Sequence, residues 1–192
     1  LSSIFGSTFR DFEVIVVDDC STDSTMDIAL KFKCRLFRLK SNSGPAFARN
    51  FGAKKARGKI LFFVDSDIIL KGGAMEMADK FYRENKDAVC VIGMYAKEPA
   101  NKRWIHYYQA LWKYYTWTPS PKYFSFFIAS CGTIKRKTFL ELNGFNARYK
   151  GADVEDYEFG YRVNISHKIF LNPGMQGYHH FPYLKSVVKN YF

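Results

Sequence analysis

Ile60-Leu61-Phe62-Phe63-Val64-Asp65-Ser66-Asp67 is an apolar run that closes on two aspartates one serine apart, and Ile68-Ile69-Leu70 follows them. Read as a strand, the segment delivers two carboxylates at its carboxyl end among apolar neighbours, where desolvation penalises charge. Carboxylates persist in such places when they are paired, hydrogen-bonded or metal-bound. Oxygen ligands of this kind suit hard divalent ions, Mg²⁺ or Mn²⁺, which in turn grip phosphates. A strand end that simply turns into a polar loop gives the same triplet, so three residues alone decide nothing.

A second acidic strand end lies upstream. Glu13-Val14-Ile15-Val16-Val17 is β-branched, as buried strands of parallel sheets are, and it ends in Asp18-Asp19-Cys20-Ser21-Thr22. The spacing predicts helices over about 24–32, 43–56 and 73–84, alternating with strands over 34–39, 59–64 and 88–92. That alternation is the mark of a doubly wound, mostly parallel α/β sheet. Ligands bind outside the carboxyl ends of such strands, so two acidic ends face one crevice.

From Trp104 onward the character changes. Trp104, Tyr107, Tyr108, Leu111, Trp112, Tyr114, Tyr115 and Trp117 form a dense helical stretch that Thr118-Pro119-Ser120-Pro121 stops. Aromatic belts suit membrane interfaces. Packing on the sheet is the alternative, and the expectation is that about half the rings are core while Lys113 keeps its part of the stretch wet.

The chain has 192 residues, 47% of them hydrophobic, enough for one domain with a sizeable core. Cys20, Cys34, Cys90 and Cys131 lack zinc-like spacing and read as reduced thiols of a cytosolic protein. No run approaches the roughly 20 apolar residues of a spanning helix. The formal charge of +11 points to a nucleic acid, an anionic membrane surface, or a phosphate-rich ligand beside solvated basic faces. No zinc finger, RNA-recognition or helix-turn-helix signature accompanies it, so a membrane surface is preferred and no nucleic acid partner is expected.

Five segments taken together carry a family resemblance. They are the 13–23 strand end, Ser43-Gly44-Pro45-Ala46-Phe47-Ala48-Arg49-Asn50, the Gly58 to Asp67 strand, the stretch from Cys131 to Asn146, and Gly151-Ala152-Asp153-Val154-Glu155-Asp156-Tyr157-Glu158. In order and spacing they resemble family 2 glycosyltransferases. The resemblance implies a GT-A-like α/β domain, with residues 1–95 as the nucleotide-sugar half and 96–192 as the acceptor-binding and catalytic half. Family members open with a further strand and most of a helix; Leu1-Ser2-Ser3-Ile4-Phe5 reads as the inside of that helix, so the N-terminal strand is expected to be missing.

The same resemblance distributes roles. Asp19 would accept from the nucleotide base, with Asp18 supporting its turn, and a uracil imide donor matches a carboxylate well. Arg49 would reach the nucleotide and diphosphate. Asp67 would bind Mn²⁺ or Mg²⁺ directly, Asp65 the ribose and metal-bound water, and His179, rather than His180, would approach the metal. Asp156, with Glu155 beside it, would be the base that deprotonates the acceptor hydroxyl. Crowded carboxylates at 153–158 raise at least one pKa, although acids at a helix start are also ordinary capping.

The expected activity is metal-dependent, inverting transfer from a nucleoside-diphosphate sugar, UDP-linked by preference, to a glycan or lipid-linked acceptor at the cytoplasmic face of a membrane. Its rivals are a catalytically silent nucleotide-sugar-binding module and a basic membrane- or nucleic-acid-binding protein without activity. There is no Gly-x-Ser-x-Gly elbow, HExxH or phosphate-loop motif.

Overall fold

The computed structural model describes residues 1–117, 123–149, 151 and 154–182, with the side chain of Trp117 left aside. The proline stop at 118–121 and Asp153 therefore lie outside the described residues. In chain order the elements are α1 (Ser2–Phe5), β1 (Ile15–Asp18), α2 (Thr25–Ala29), β2 (Arg35–Arg38), α3 (Pro45–Lys55), β3 (Ile60–Val64), β4 (Ile68–Leu70), α4 (Ala74–Glu84), β5 (Cys90–Tyr95), α5 (Trp104–Trp117), β6 (Tyr123–Phe124), β7 (Cys131–Lys135), α6 (Arg136–Glu141), α7 (Glu155–Ser166) and β8 (Ile169–His179).

Two sheets form. β1 and β2 pair in parallel, and α3 lies on β1. The larger sheet runs β3-β7-β5-β8-β4, with β6 on β8. The GT-A-like α/β architecture is present, but the mostly parallel pairing is not. Among the described residues only β1–β2 and β5–β8 are parallel, whereas β3–β7, β5–β7, β4–β8 and β6–β8 are antiparallel. The helix crossovers do point β3, β5 and β8 the same way. β7 then threads between β3 and β5 in the opposite sense, and β4 reverses directly out of the 65–67 turn without a crossover. Cys131-Gly132-Thr133-Ile134-Lys135 is short and carries a glycine, so it shows little strand signal.

Each sheet face buries a different set of side chains. β5 is buried along its whole length and alternates with period two: Cys90 and Ile92 point to one core, Val91 to the other. Beneath α3, α6 and α7 sits a cluster of five phenylalanines, Phe63, Phe127, Phe139, Phe145 and Phe159. Ring centroids are 4.8–6.0 Å apart, mostly tilted or edge-on, as ring quadrupoles prefer. On the other face α4 packs Ala74 and Ala78 against the sheet.

The aromatic helix departs from expectation. Its rings do not share themselves between core and surface: Trp104, Tyr107, Tyr108, Trp112 and Tyr115 are all exposed, and the buried positions of α5 are His106 and Ala110. Lys113 turns inward rather than staying wet among the rings, with its ammonium 4.8 Å from the Tyr95 ring centroid and 5.9 Å from that of Phe181. Tyrosine and tryptophan tolerate water at their polar ends, so the chain puts its smallest residue, Ala110, where α5 meets β5.

One close approach positions the site. A Cβ at Gly160 of α7 would meet the amide nitrogen of Phe127 at 2.4 Å and Cα of Phe126 at 2.5 Å. Only glycine lets the 126–129 segment lie directly on the helix. Gly160→Ala, although it raises helix propensity, is expected to lower stability by about 1–3 kcal/mol through this backbone clash. A urea-unfolding midpoint equal to or above that of the wild type would contradict this packing.

Candidate active site

The carboxyl ends of β3, β5 and β8 share one sheet edge, and β7 begins there. Asp65, Asp67, Tyr95, Ser130 and His179 therefore converge, joined by the start of α7 and by Arg49 from α3. Arg49 is the hinge of the arrangement. Nη2 donates to Asp65 Oδ1 and Nη1 to Glu155 Oε1, each at 2.8 Å, while its guanidinium lies 5.7 Å from the Phe145 ring centroid. The planar fork suits two carboxylates in different directions, and stacking on the phenylalanine cluster fixes its plane. Burial pulls the Arg49 pKa down, but Asp65, Asp156 and Glu155 more than offset this and raise it.

Asp156, one residue into α7, is held differently. Its Oδ2 accepts from the Ala129 amide at 2.8 Å, and Oδ1 has no hydrogen-bond partner among the described residues. Burial pushes its carboxyl up to about 6; the Ala129 amide and Arg49 pull it down, while Glu155 and Asp65 push it further up. Glu155 is 2% exposed and, beyond its bond to Arg49, keeps an unpartnered Oε2.

Asp67 pairs with the imidazole of His179, Nε2 to Oδ2 at 3.2 Å. Burial raises the Asp67 pKa, but that hydrogen bond and the His179 charge outweigh it and lower the value overall. Adjacent strand residues face opposite ways. His180 accordingly reaches Asp67 through its backbone, N–H to carbonyl at 2.8 Å, and its side chain is exposed. The His179 ring stacks on Tyr95 at 4.7 Å and 6°.

The upstream acids organise a turn. Asp19 accepts from the Ser43 and Gly44 amides, one on each oxygen at 2.7 Å, and Asp18 Oδ1 accepts from the Ser21 amide at 3.1 Å. Gly44 needs its positive φ of 88° to present that amide. Each Asp19 oxygen retains a second lone pair for another donor.

For a metal, the donors fit only in part. Among the described residues no three of His, Cys, Asp and Glu converge on one point. Asp67 and His179 are adjacent, and Asp65 is held by Arg49. Mg²⁺ and Mn²⁺ sites commonly use one or two carboxylates and take the rest of their oxygens from substrate phosphates and water, so this short donor set fits a cation completed by a diphosphate.

Sequence reading passed over Tyr95, Ser130, Lys113 and the Ala129 amide. Ser130 Oγ donates to the Tyr95 hydroxyl at 3.0 Å, and burial raises the Tyr95 pKa to about 12, with Asp65, Asp67 and Asp156 adding to it. Tyr95 was open to discovery as the last residue of a buried strand; the facing of Lys113 was not.

The fold is one known from glycosyltransferases of the GT-A class. It resembles the Staphylococcus aureus TarS 1–349 structure in complex with UDP (TM-score 0.72, 21% identity, 98% of this chain and 57% of that one). It also resembles GalNAc-T7 with UDP, GalNAc and Mn²⁺ (TM-score 0.73, 16% identity, 95% and 40%). At these identities the likeness is one of fold. The sequence profile of Glycosyl transferase family 2 matches residues 1–143, and the chain belongs to that family. Relatives include the poly(ribitol-phosphate) beta-N-acetylglucosaminyltransferase TarS of S. aureus (strain Mu50 / ATCC 700699), 40% identical over 89 residues, 44% of this chain and 16% of that protein. The putative teichuronic acid biosynthesis glycosyltransferase TuaG of Bacillus subtilis (strain 168) is 34% identical over 96 residues, 47% of this chain and 38% of that protein.

Two outcomes follow from the geometry. Arg49→Met strands Glu155 as a buried unpaired carboxylate and should cost about 3–5 kcal/mol, with Glu155→Gln in the same chain recovering much of it; a double-mutant cycle by urea unfolding that shows no coupling would refute the shared fork. Asp156 ionises at a higher pH folded than unfolded, so its penalty is absent below about pH 4 and complete above about pH 6. Asp156→Asn should therefore stabilise progressively across that window, by up to about 3 kcal/mol, checked by melting temperature against pH.

Proposed function

We propose that this chain transfers a sugar from a nucleoside-diphosphate sugar, UDP-linked by preference, to a hydroxyl of a cell-surface or lipid-linked glycan with inversion, at the cytoplasmic face of a membrane. Family membership supports sugar transfer, and the UDP of structurally similar TarS supports the donor class. The observation that carries the reading is Asp156: a carboxylate aimed by a backbone amide, with one oxygen free and a pKa near working pH. A module that only bound the donor would need no such base.

In this reading Asp19 and the 43–44 turn receive the nucleotide, and Arg49 exchanges Asp65 for phosphate oxygens, for which its fork is equally suited. Asp67 and His179, with Asp65 beside them, would hold a divalent cation, Mn²⁺ or Mg²⁺. When bound, such an ion neutralises charge on the departing diphosphate as a Lewis acid. The acceptor oxygen forms its bond to the anomeric carbon as the bond to diphosphate breaks. Its proton passes to Asp156 Oδ1, and the nucleoside diphosphate leaves with the bonding pair. One displacement inverts the centre, and no covalent enzyme intermediate is needed.

Asp156→Asn should lower turnover by about 10²–10⁴-fold with donor affinity nearly preserved. The wild-type rate should fall as pH drops through about 6, where Asp156 takes up its proton. Asp67→Ala should abolish Mn²⁺-dependent donor binding by calorimetry. Normal turnover in the asparagine variant, or a product of retained configuration by NMR, would overturn the assignment.

A further inference from the structure

The outward face of α5 is an exposed aromatic surface that the site does not account for. Trp104 is 81% exposed, Tyr108 62%, Trp112 58% and Tyr115 56%, with Tyr107 and Leu111 also open. At about 100° per residue these six side chains fall on one continuous arc of about 140°. An apolar stripe of that width normally faces a core; here His106, Ala110 and Lys113 face the core instead. Tyr108, Leu111, Trp112 and Tyr115 line a shallow cavity of about 330 Å³ along the stripe.

The charge around the stripe is mostly basic, with Glu98 beside Lys97 the acid near it. From Pro99 to Leu140 the sequence contains no Asp or Glu, while Lys102 and Arg103 immediately precede α5. Lys97 holds its ammonium over the Tyr114 and Tyr115 rings at 4.9 and 5.2 Å. Tryptophan and tyrosine, apolar rings with a polar tip, are the residues that collect at the headgroup level of bilayers rather than in hydrocarbon. No helix among the described residues is long and apolar enough to cross a membrane.

We infer that α5 is an interfacial helix, lying with this aromatic face in the headgroup region of an anionic lipid bilayer. Buried apolar area and attraction to anionic lipid add in such helices. A second copy of the chain fits less well, because the stripe itself carries no acid to pair the basic residues at its margin. A neutral sugar chain would stack on these rings too, but it offers no charge to the basic residues beside them, whereas an anionic bilayer does. The inference rests on this face and not on the catalytic reading, so either stands if the other fails.

The three tryptophans of the chain, Trp104, Trp112 and Trp117, all belong to α5, so intrinsic fluorescence reports this helix alone. The full chain is mixed with phosphatidylcholine vesicles, with and without phosphatidylglycerol, and followed by flotation and tryptophan emission. Binding is expected only to vesicles containing phosphatidylglycerol, with a blue shift and quenching by brominated lipid. Trp104→Ser with Trp112→Ser should keep the circular dichroism and melting temperature, since both rings are exposed, and weaken partitioning by about tenfold or more. Lys102→Glu with Arg103→Glu should remove the preference for anionic lipid. Unshifted emission with no flotation, equal binding of the tryptophan variant, or concentration-dependent dimerisation through this face in sedimentation would each overturn the inference.

Discussion

Arg49 spends one guanidinium on two acids that the chain places far apart, Asp65 at the end of β3 and Glu155 at the start of α7. Removing three charges from water is costly, and the attraction among them recovers that cost only with good geometry. The geometry comes from below: the guanidinium lies over Phe145, one of five rings packed against each other under α3, α6 and α7. Core and site are thus a single construction. Arg49 is committed to Asp65 and Glu155, and burial of Asp156 outweighs its Ala129 amide bond and the charge of Arg49, so its carboxyl holds its proton to a higher pH than an ordinary aspartate.

The two sides of the crevice are preorganised by different means. On one side, backbone amides aimed at Asp18 and Asp19 fix the turn after β1 and the entry into α3. On the opposite side, a glycine in α7 admits the 126–129 backbone, and the Ala129 amide orients Asp156. Tyr95, stacked on His179 and roofed by Lys113, joins the two. Backbone donors cost little entropy to order, which suits groups that must meet a ligand without moving.

What could be read from the chain was what is local. Acidic strand ends, the glycine-proline turn before α3 and the acidic start of α7 each announce themselves within a few residues. All eight residues singled out for chemistry lie on the two acidic turns, on α3, or along the sheet edge and the start of α7 beside it. What could not be read depends on tertiary facing. An aromatic helix has the same periodicity whether its rings point in or out, so the inward turn of Lys113 was hidden. β7 was hidden because five residues with a glycine carry no period. Its insertion between β3 and β5 makes antiparallel a sheet whose crossovers alone predict parallel strands.

The strand order also sets the order in which the molecule is built. β3 has no ladder partner until β7 has been made, and β4 and the far side of β5 wait for β8, the last described strand. Synthesis at about 5–20 residues per second leaves these apolar segments unpaired for several seconds. Among the described strands, β1 and β2 can pair early, with α3 beside them. Residues 1–95 are therefore not a unit that completes its own strand pairing. A nascent chain of this design carries the buried strand Cys90-Val91-Ile92-Gly93-Met94-Tyr95 with one edge open until β8 has emerged. Long-range pairing of this kind makes for slow folding, and it leaves apolar strand surface open to aggregation while the chain is incomplete.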